Sequence, residues 1–376
     1  MKIAFTFLTY GKDIFGGIEN ALFNLTKGLD ELDHDVFVFT SSTYIDGTEN
    51  FPADVYRSKF LPTEYNGNVK HLISSLYDNR TAINNDFDYF LEKFKPDHVV
   101  VVDPIWGILG ATYYTNNTNT PFSISYHIAN TWAETRTIMA YSLLSDYVNF
   151  FVVSTFLSTE IKKEFPKAKN IAMKVLPNSI DTSLYESNIT VPEQYILCNS
   201  RIAEGKNVDV LVEAFSTIKN DGMKLVLCTG KFPFGDSNSE RSNMERLVKK
   251  LGIENRVEFL PNLEWRDVPE LVKKSYAVVL PSTYETFGIA ALEASIAGVP
   301  LIAAYATNFK DLVKKNALYF SPNDVTDLGK KIRDVIDNYE HYKKKSGRCK
   351  AYFVNRYNNK IVAERLLNAI RSDNMQ

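Results

Sequence analysis

Short β-branched and aromatic runs alternate along this chain with stretches whose apolar residues recur at helical spacing. That alternation predicts parallel sheets joined by crossover helices. In the first half the strand runs are Lys2–Leu8, Asp35–Thr40, His98–Asp103, Phe122–Tyr126, Asn149–Val153 and Met173–Leu176, with helices over Gly17–Leu32, Lys70–Phe94 and Thr155–Glu164. The polar segment Pro177–Pro192 reads as a linker, after which the pattern restarts. Its second set of strands is Tyr195–Ser200, Leu225–Thr229, Val257–Phe259, Ala277–Leu280 and Leu301–Ala304. Helices over Val208–Lys219, Glu240–Leu251, Val268–Lys274 and Phe287–Ala297 sit between them. The carboxyl end departs from alternation: Leu328–Tyr339, Tyr342–Phe353 and Lys360–Arg371 read as helices with no strand between them. A chain of 376 residues outgrows a single core, so two domains are expected.

The richest stretch is Pro281 to Pro300, PSTYETFGIAALEASIAGVP, which follows the Ala277–Leu280 strand. Glu285 and Glu293 bracket the start of a small-residue helix, with seven residues between them. A helix beginning near Phe287 would turn unpaired N–H groups of Thr286, Phe287, Gly288 and Ile289 outward, a seat for an anion. Eight steps at roughly 1.5 Å each place the two carboxylates about 12 Å apart along the axis. A sugar–diphosphate–ribose unit is of that length. The spacing therefore predicts a carboxylate holding hydroxyls at each end and a diphosphate over the helix start. On spacing alone, two solvated glutamates on a strand–turn–helix unit are the better reading.

Three further sites add cations and close-approach backbone. In NSRIAEGKNVDVLVEAF, Arg201 follows a strand and Lys206 precedes a helix, offering a planar fork and a flexible point charge for phosphate oxygens. Both would lie at the carboxyl edge of a parallel sheet, where α/β proteins bind ligands, although spacing alone leaves a solvated loop just as open. The paired Gly16 and Gly17 stand at the first strand-to-helix turn, where the lack of Cβ lets backbone approach a ligand closely. They do not form the spaced-glycine fingerprint of dinucleotide binders. His127 ends the FSISYH run, where a loop histidine bonded to backbone is the plain alternative.

Taken together, FGGIENAL, SRIAEGK followed by EAF, PNSID and the Glu285-x7-Glu293 segment resemble retaining family-four glycosyltransferases of the GT-B fold. The resemblance implies two Rossmann-like β/α/β domains facing a central cleft, with the last helix crossing back to the amino-terminal domain. It divides the chain into an acceptor-side domain, 1–177 plus a carboxyl-terminal helix at about 355–376, and a donor-binding domain, 178–354. It further implies that His127 lies near the sugar's primary hydroxyl and that Arg201, Lys206 and Glu285 serve the reaction. The donor would be held by Gly16, Gly17, Gly230, Leu263 beside the base, Thr286 to Ile289, and Glu293 on the ribose. Ser200, Ser179 and Pro261 stand where the family commonly has glycine. The likeness is specific in the second half and weak between Thr43 and Phe122. The implied reaction is retaining transfer of a hexosyl-type group from a nucleotide-diphosphate sugar, UDP-sugar favoured, to a carbohydrate, lipid-linked or small-molecule hydroxyl. No metal and no separate cofactor are implied.

Composition changes this picture little. At 45% hydrophobic and 23% charged residues the chain is ordinary globular protein, and a net charge of -2 argues against nucleic acid as a partner. Cys198, Cys228 and Cys349 are odd in number and too far apart for a ligand motif. The start MKIAFTFLTYG reads as a strand rather than a signal peptide. Apolar runs are short, and Val99–Val102 is cut by Asp103-Pro104, so no membrane span is expected. A cytoplasmic setting follows, with contact at a membrane surface left open by the basic clusters Lys162-Lys163 and Lys343 to Lys345. Asp86-Phe87-Asp88 matches a metal–diphosphate motif of another fold. Phe87, Phe90, Leu91 and Phe94 make a helical apolar face there, which points both aspartates to solvent. A UDP-sugar 2-epimerase shares the implied architecture. A catalytically silent partner subunit usually loses the cations or the first glutamate, and this chain keeps both.

Overall fold

A computed structural model describes residues 1–11, 16–42, 51–62, 69–104, 119–129, 133–144, 147–186, 192–219, 222–228, 237–260, 263, 265–306 and 308–373. The chain forms two compact units: residues 1–179 with 233–235 and 357–376, and residues 180–232 with 236–356.

The first unit holds a seven-stranded sheet. Its strands are β1 (Lys2–Thr6), β2 (Asp35–Ser41), β3 (Asp54–Ser58), β4 (His98–Val102), β5 (Phe122–Tyr126), β6 (Asn149–Val152) and β7 (Met173–Val175). They lie in the order β3-β2-β1-β4-β5-β6-β7, all parallel, with Ile3 beside His98 where the strand order reverses. The second unit repeats the scheme with β8 (Tyr195–Cys198), β9 (Lys224–Cys228), β10 (Val257–Leu260), β11 (Ala277–Leu280), β12 (Leu301–Ala304) and β13 (Ala317–Phe320). Their order is β10-β9-β8-β11-β12-β13, again all parallel. Sheets covered by helices on both faces favour apolar strands, and β4, β5, β8 and β11 are buried at every position; the buried polar pair His98 Nε2 and Ser123 Oγ meet at 2.8 Å.

The differences from the sequence reading have local causes. β3 and β13 were not expected; both are edge strands, and their mixed DVYRS and ALYF runs are only partly buried. The helix expected over Lys70–Phe94 is two helices, Val69–Asp78 and Arg80–Phe94. At the break, the Asn79 side chain donates to the Ser75 carbonyl at 2.9 Å, competing with the helical ladder. A helix over Ala133–Ser142 was also unforeseen. Asp86 is not directed wholly to solvent: it is only partly exposed and accepts a hydrogen bond from the Tyr56 hydroxyl at 2.6 Å. Cys198 and Cys228 are buried strand thiols, pushed up by desolvation, Cys198 to about 11. No helix among the described residues is long and apolar enough to cross a membrane.

The last helix, Asn359–Asp373, belongs to the first unit and packs on the helix Gly17–Asp30. Val362, Ala363, Leu366, Leu367 and Ile370 form its buried stripe, each Leu or Ile contributing roughly 1.5–3 kcal/mol on the usual transfer scale. The two backbones approach so closely at Gly28 that a Cβ there would stand 2.5 Å from the Asn359 carbonyl carbon. Helix propensity alone would make Gly28→Ala stabilising by about 1 kcal/mol. The collision reverses the sign, and the variant should lose about 1–3 kcal/mol, the range for overpacking. A lower urea midpoint at unchanged slope is the expected result; a higher midpoint would show that the two helices can separate without cost.

Candidate functional site

In open α/β sheets ligands collect outside the carboxyl ends of the strands, where the strand order reverses. In the second unit that point lies between β8 and β11, paired with Ile196 beside Ala277 and Leu197 beside Val278. The chain leaving β8 carries Asn199, Arg201 and Lys206, and the chain leaving β11 carries Glu285. Hydrogen-bond contacts join these loops: the Thr283 N–H donates to the Gly205 carbonyl at 2.9 Å, Thr283 Oγ1 donates to the same carbonyl at 3.4 Å, and Asn207 Nδ2 lies 3.4 Å from Thr283 Oγ1. The result is an ion pair of Lys206 Nζ with Glu285 Oε1 at 2.5 Å, with side-chain exposures of 20% and 17%. Ions this far out of water lose part of their hydration, which the pairing offsets. Lys206 has three donors and spends one here, leaving the others for a further anion. Arg201 is exposed on the same loop.

The helix after β11 starts at Ile289, two residues later than the sequence suggested. Gly288 is its N-cap, with φ +97°, a conformation that L side chains rarely adopt, and a Cβ there would also stand 2.8 Å from the Phe309 ring. Thr286 and Phe287 therefore precede the helix, and Phe287 is buried. Its carbonyl accepts from Asn308 Nδ2 at 2.6 Å. Because Glu285 lies in this non-helical approach, the uniform eight-step rise between the two glutamates does not apply. No side chain caps the first turn.

Glu293 sits in the second turn of that helix and differs chemically from Glu285. Its partners are neutral donors: Asn199 Nδ2 at 2.7 Å and the Tyr185 hydroxyl. Burial pushes its carboxyl up to about 7, against the opposing pull of these two hydrogen bonds. Sequence reasoning missed both partners. Asn199, a polar residue closing an apolar strand, was visible in principle; Tyr185 lies in the linker and gave no signal.

In the first unit, His127 directly follows β5 and is 9% exposed. Desolvation pushes its imidazole down to about 4, so the ring is neutral at pH 7. Its Nε2 lies 3.4 Å from Ser125 Oγ, and its Nδ1 has no partner among the described residues. The void beside it, about 20 Å³ and lined also by Ser125, Asn178 and Ser179, is water-sized and too small for a sugar. Gly16 is buried in extended backbone, and a Cβ there would collide with the Glu19 carboxylate, which accepts from Thr9 Oγ1 at 3.0 Å. The space that Gly16 provides is thus taken by an acid of its own helix rather than left open. Gly17 is exposed at the first helical position. Leu263 is half-buried after β10, and Gly230 lies outside the described residues.

The raised carboxyl of Glu293 has a stability consequence. Between pH of about 4.5 and 7 the folded chain keeps a proton that the unfolded chain has released, so this residue lowers stability as pH rises across that window. Glu293→Gln abolishes that fall. Urea midpoints of both proteins at pH 5 and pH 8 should show the wild type losing ground to the variant at the higher pH; a constant gap would mean that Glu293 ionises normally.

Residues 15–184 match the family described as Glycosyltransferase Family 4, and residues 180–352 match Glycosyl transferases group 1. An uncharacterised glycosyltransferase of Methanocaldococcus jannaschii is 25% identical over 55% of this chain and 56% of its own length. A D-inositol 3-phosphate glycosyltransferase of Salinispora tropica is 36% identical over 28% of this chain and 22% of its own. The matches thus span about half or less of these relatives. Among solved structures, a sucrose-phosphate synthase from Thermosynechococcus elongatus superposes with a TM-score of 0.83 at 19% identity, covering 98% of both chains. Anabaena HepE in complex with UDP-glucose does so with a TM-score of 0.75 at 19% identity, covering 99% of this chain and 100% of the other. These structural likenesses concern the fold. With two adjoining family matches running from residue 15 to 352 on two parallel α/β sheets, the chain belongs to the family-four glycosyltransferases of GT-B fold.

Proposed function

We propose that this protein transfers a hexosyl-type group, with retention of anomeric configuration, from a nucleotide-diphosphate sugar to a hydroxyl acceptor. The observation that carries this reading is the joining of the Arg201–Lys206 loop to the Glu285 loop at the strand reversal of the second unit. Breaking the anomeric C–O bond puts negative charge on the diphosphate. Arg201, Lys206 and the uncapped N–H groups at Ile289 and Ala290 offer preorganised positive potential for that charge. Glu285, fixed by Lys206, is the group to orient the sugar through its hydroxyls, and Glu293 is the group to grip the ribose. Leu263 would flank the base. Neutral His127, with one ring nitrogen unshared, has the chemistry to hydrogen-bond a sugar hydroxyl. In the retaining route of the family, attack comes from the leaving-group face and a donor phosphate oxygen takes the acceptor's proton. UDP-sugar is favoured, supported by the UDP-glucose complex of HepE.

A panel of nucleotide sugars, read by thermal shift and slow hydrolysis, identifies the donor without knowledge of the acceptor. NMR of the released or transferred sugar should show the donor's anomeric configuration retained; inversion would overturn the mechanism, and acceptor-free interconversion of donors would make the protein an epimerase. Arg201→Ala and Lys206→Ala should each lower turnover by about 10²–10³, the scale for loss of one charge-stabilising donor. Turnover within a few-fold of wild type in both variants would remove the assigned role.

A further inference from the structure

Glu293 is held from two sides by groups that belong to no recognised motif, and the geometry of that hold carries a specific role. Tyr185, 1% exposed, closes the short turn Thr182–Tyr185 at the start of the second unit. Asp181 fixes this turn by accepting from the Ser183 N–H at 3.2 Å and its hydroxyl at 2.5 Å. From the helix Tyr339–Tyr357, Lys350 Nζ donates to the Tyr185 carbonyl at 2.8 Å. So anchored, the phenol has its O–H on the Glu293 carboxylate. Across from it, Asn199 Nδ2 donates to Glu293 Oε2 at 2.7 Å, and Asn199 Oδ1 is buried without a partner among the described residues.

A glutamate side chain has three rotatable bonds, and ordering it only when ligand arrives costs affinity. A carboxylate offers about four lone-pair sites; two internal donors leave about two, the number that a vicinal diol needs. We propose that Tyr185 and Asn199 form a clamp of positioning residues that presets the Glu293 carboxylate for the two ribose hydroxyls of the donor nucleotide. The clamp thereby sets the preference of this site for ribonucleotides over those lacking the diol. It rests on the assignment of Glu293 to the ribose made above. Tyr185 acts through Glu293 and need not touch the nucleotide.

The test is calorimetric titration of UDP and 2′,3′-dideoxy-UDP, with GDP and 2′,3′-dideoxy-GDP as a second pair, into wild type, Tyr185→Phe and Asn199→Ala. Phe keeps the buried ring and removes only the donor; Asn199→Ala tests the other arm of the clamp should Y185F fold poorly. Wild type should favour the ribonucleotide. Each variant should lose about tenfold in ribonucleotide affinity, the scale of a hydrogen bond to a charged group, with the dideoxy ligand little changed. In turnover assays the loss should fall on the donor KM more than on kcat. If wild type prefers the ribonucleotide and the variants weaken both ligands equally, or neither, the clamp is overturned while the donor assignment stands. If wild type does not distinguish the members of a pair, or binds none of the four at millimolar concentration, the donor assignment of Glu293 falls and the clamp falls with it.

Discussion

Parallel pairing of β8 with β11 is the constraint from which the candidate site follows. Strands that run the same way release their chains at the same edge of the sheet, so the loop with Arg201 and Lys206 and the loop with Glu285 emerge side by side. An antiparallel partner would have sent one of them to the far edge. Once adjacent, the loops are tied by Thr283 and Gly205, and the Lys206–Glu285 pair closes at 2.5 Å. Partial burial strengthens that closure, because the pairing offsets hydration that each ion has lost.

The same arrangement gives two glutamates of one motif opposite characters. Glu285 faces an ammonium; Glu293 faces an amide and a phenol, and burial lifts its carboxyl to about 7. The first is one half of an ion pair, and the second is a hydrogen-bonding group close to its own titration point. Environment, not residue type, separates the roles, as it does for His127, which burial keeps neutral.

Much of this was legible in the residues, for reasons that differ by element. The central strands declared themselves because burial on both faces favours apolar runs, as over residues 99–102. The edge strands β3 and β13 escaped because an edge relaxes that preference. Arg201, Lys206 and Glu285 could be named because charged residues following an apolar strand stand out, and the fold brings Lys206 and Glu285 together. What the pattern could not show was pairing. That Lys206 bonds Glu285, or that a linker tyrosine reaches Glu293, depends on contacts across 79 and 108 residues of chain, respectively. The late start of the helix at Ile289 also escaped, since a single glycine with positive φ moves a boundary without altering hydrophobic periodicity.

The helix Asn359–Asp373 packs in the first unit yet is encoded after the whole of the second. A ribosome therefore delivers it only after the second unit has been made. Until then the nascent first unit holds the backbone groove at Gly28 and the apolar surface around it without their cover. The unit whose first strand leaves the ribosome earliest thus cannot complete its helical layer until the other unit has been synthesised.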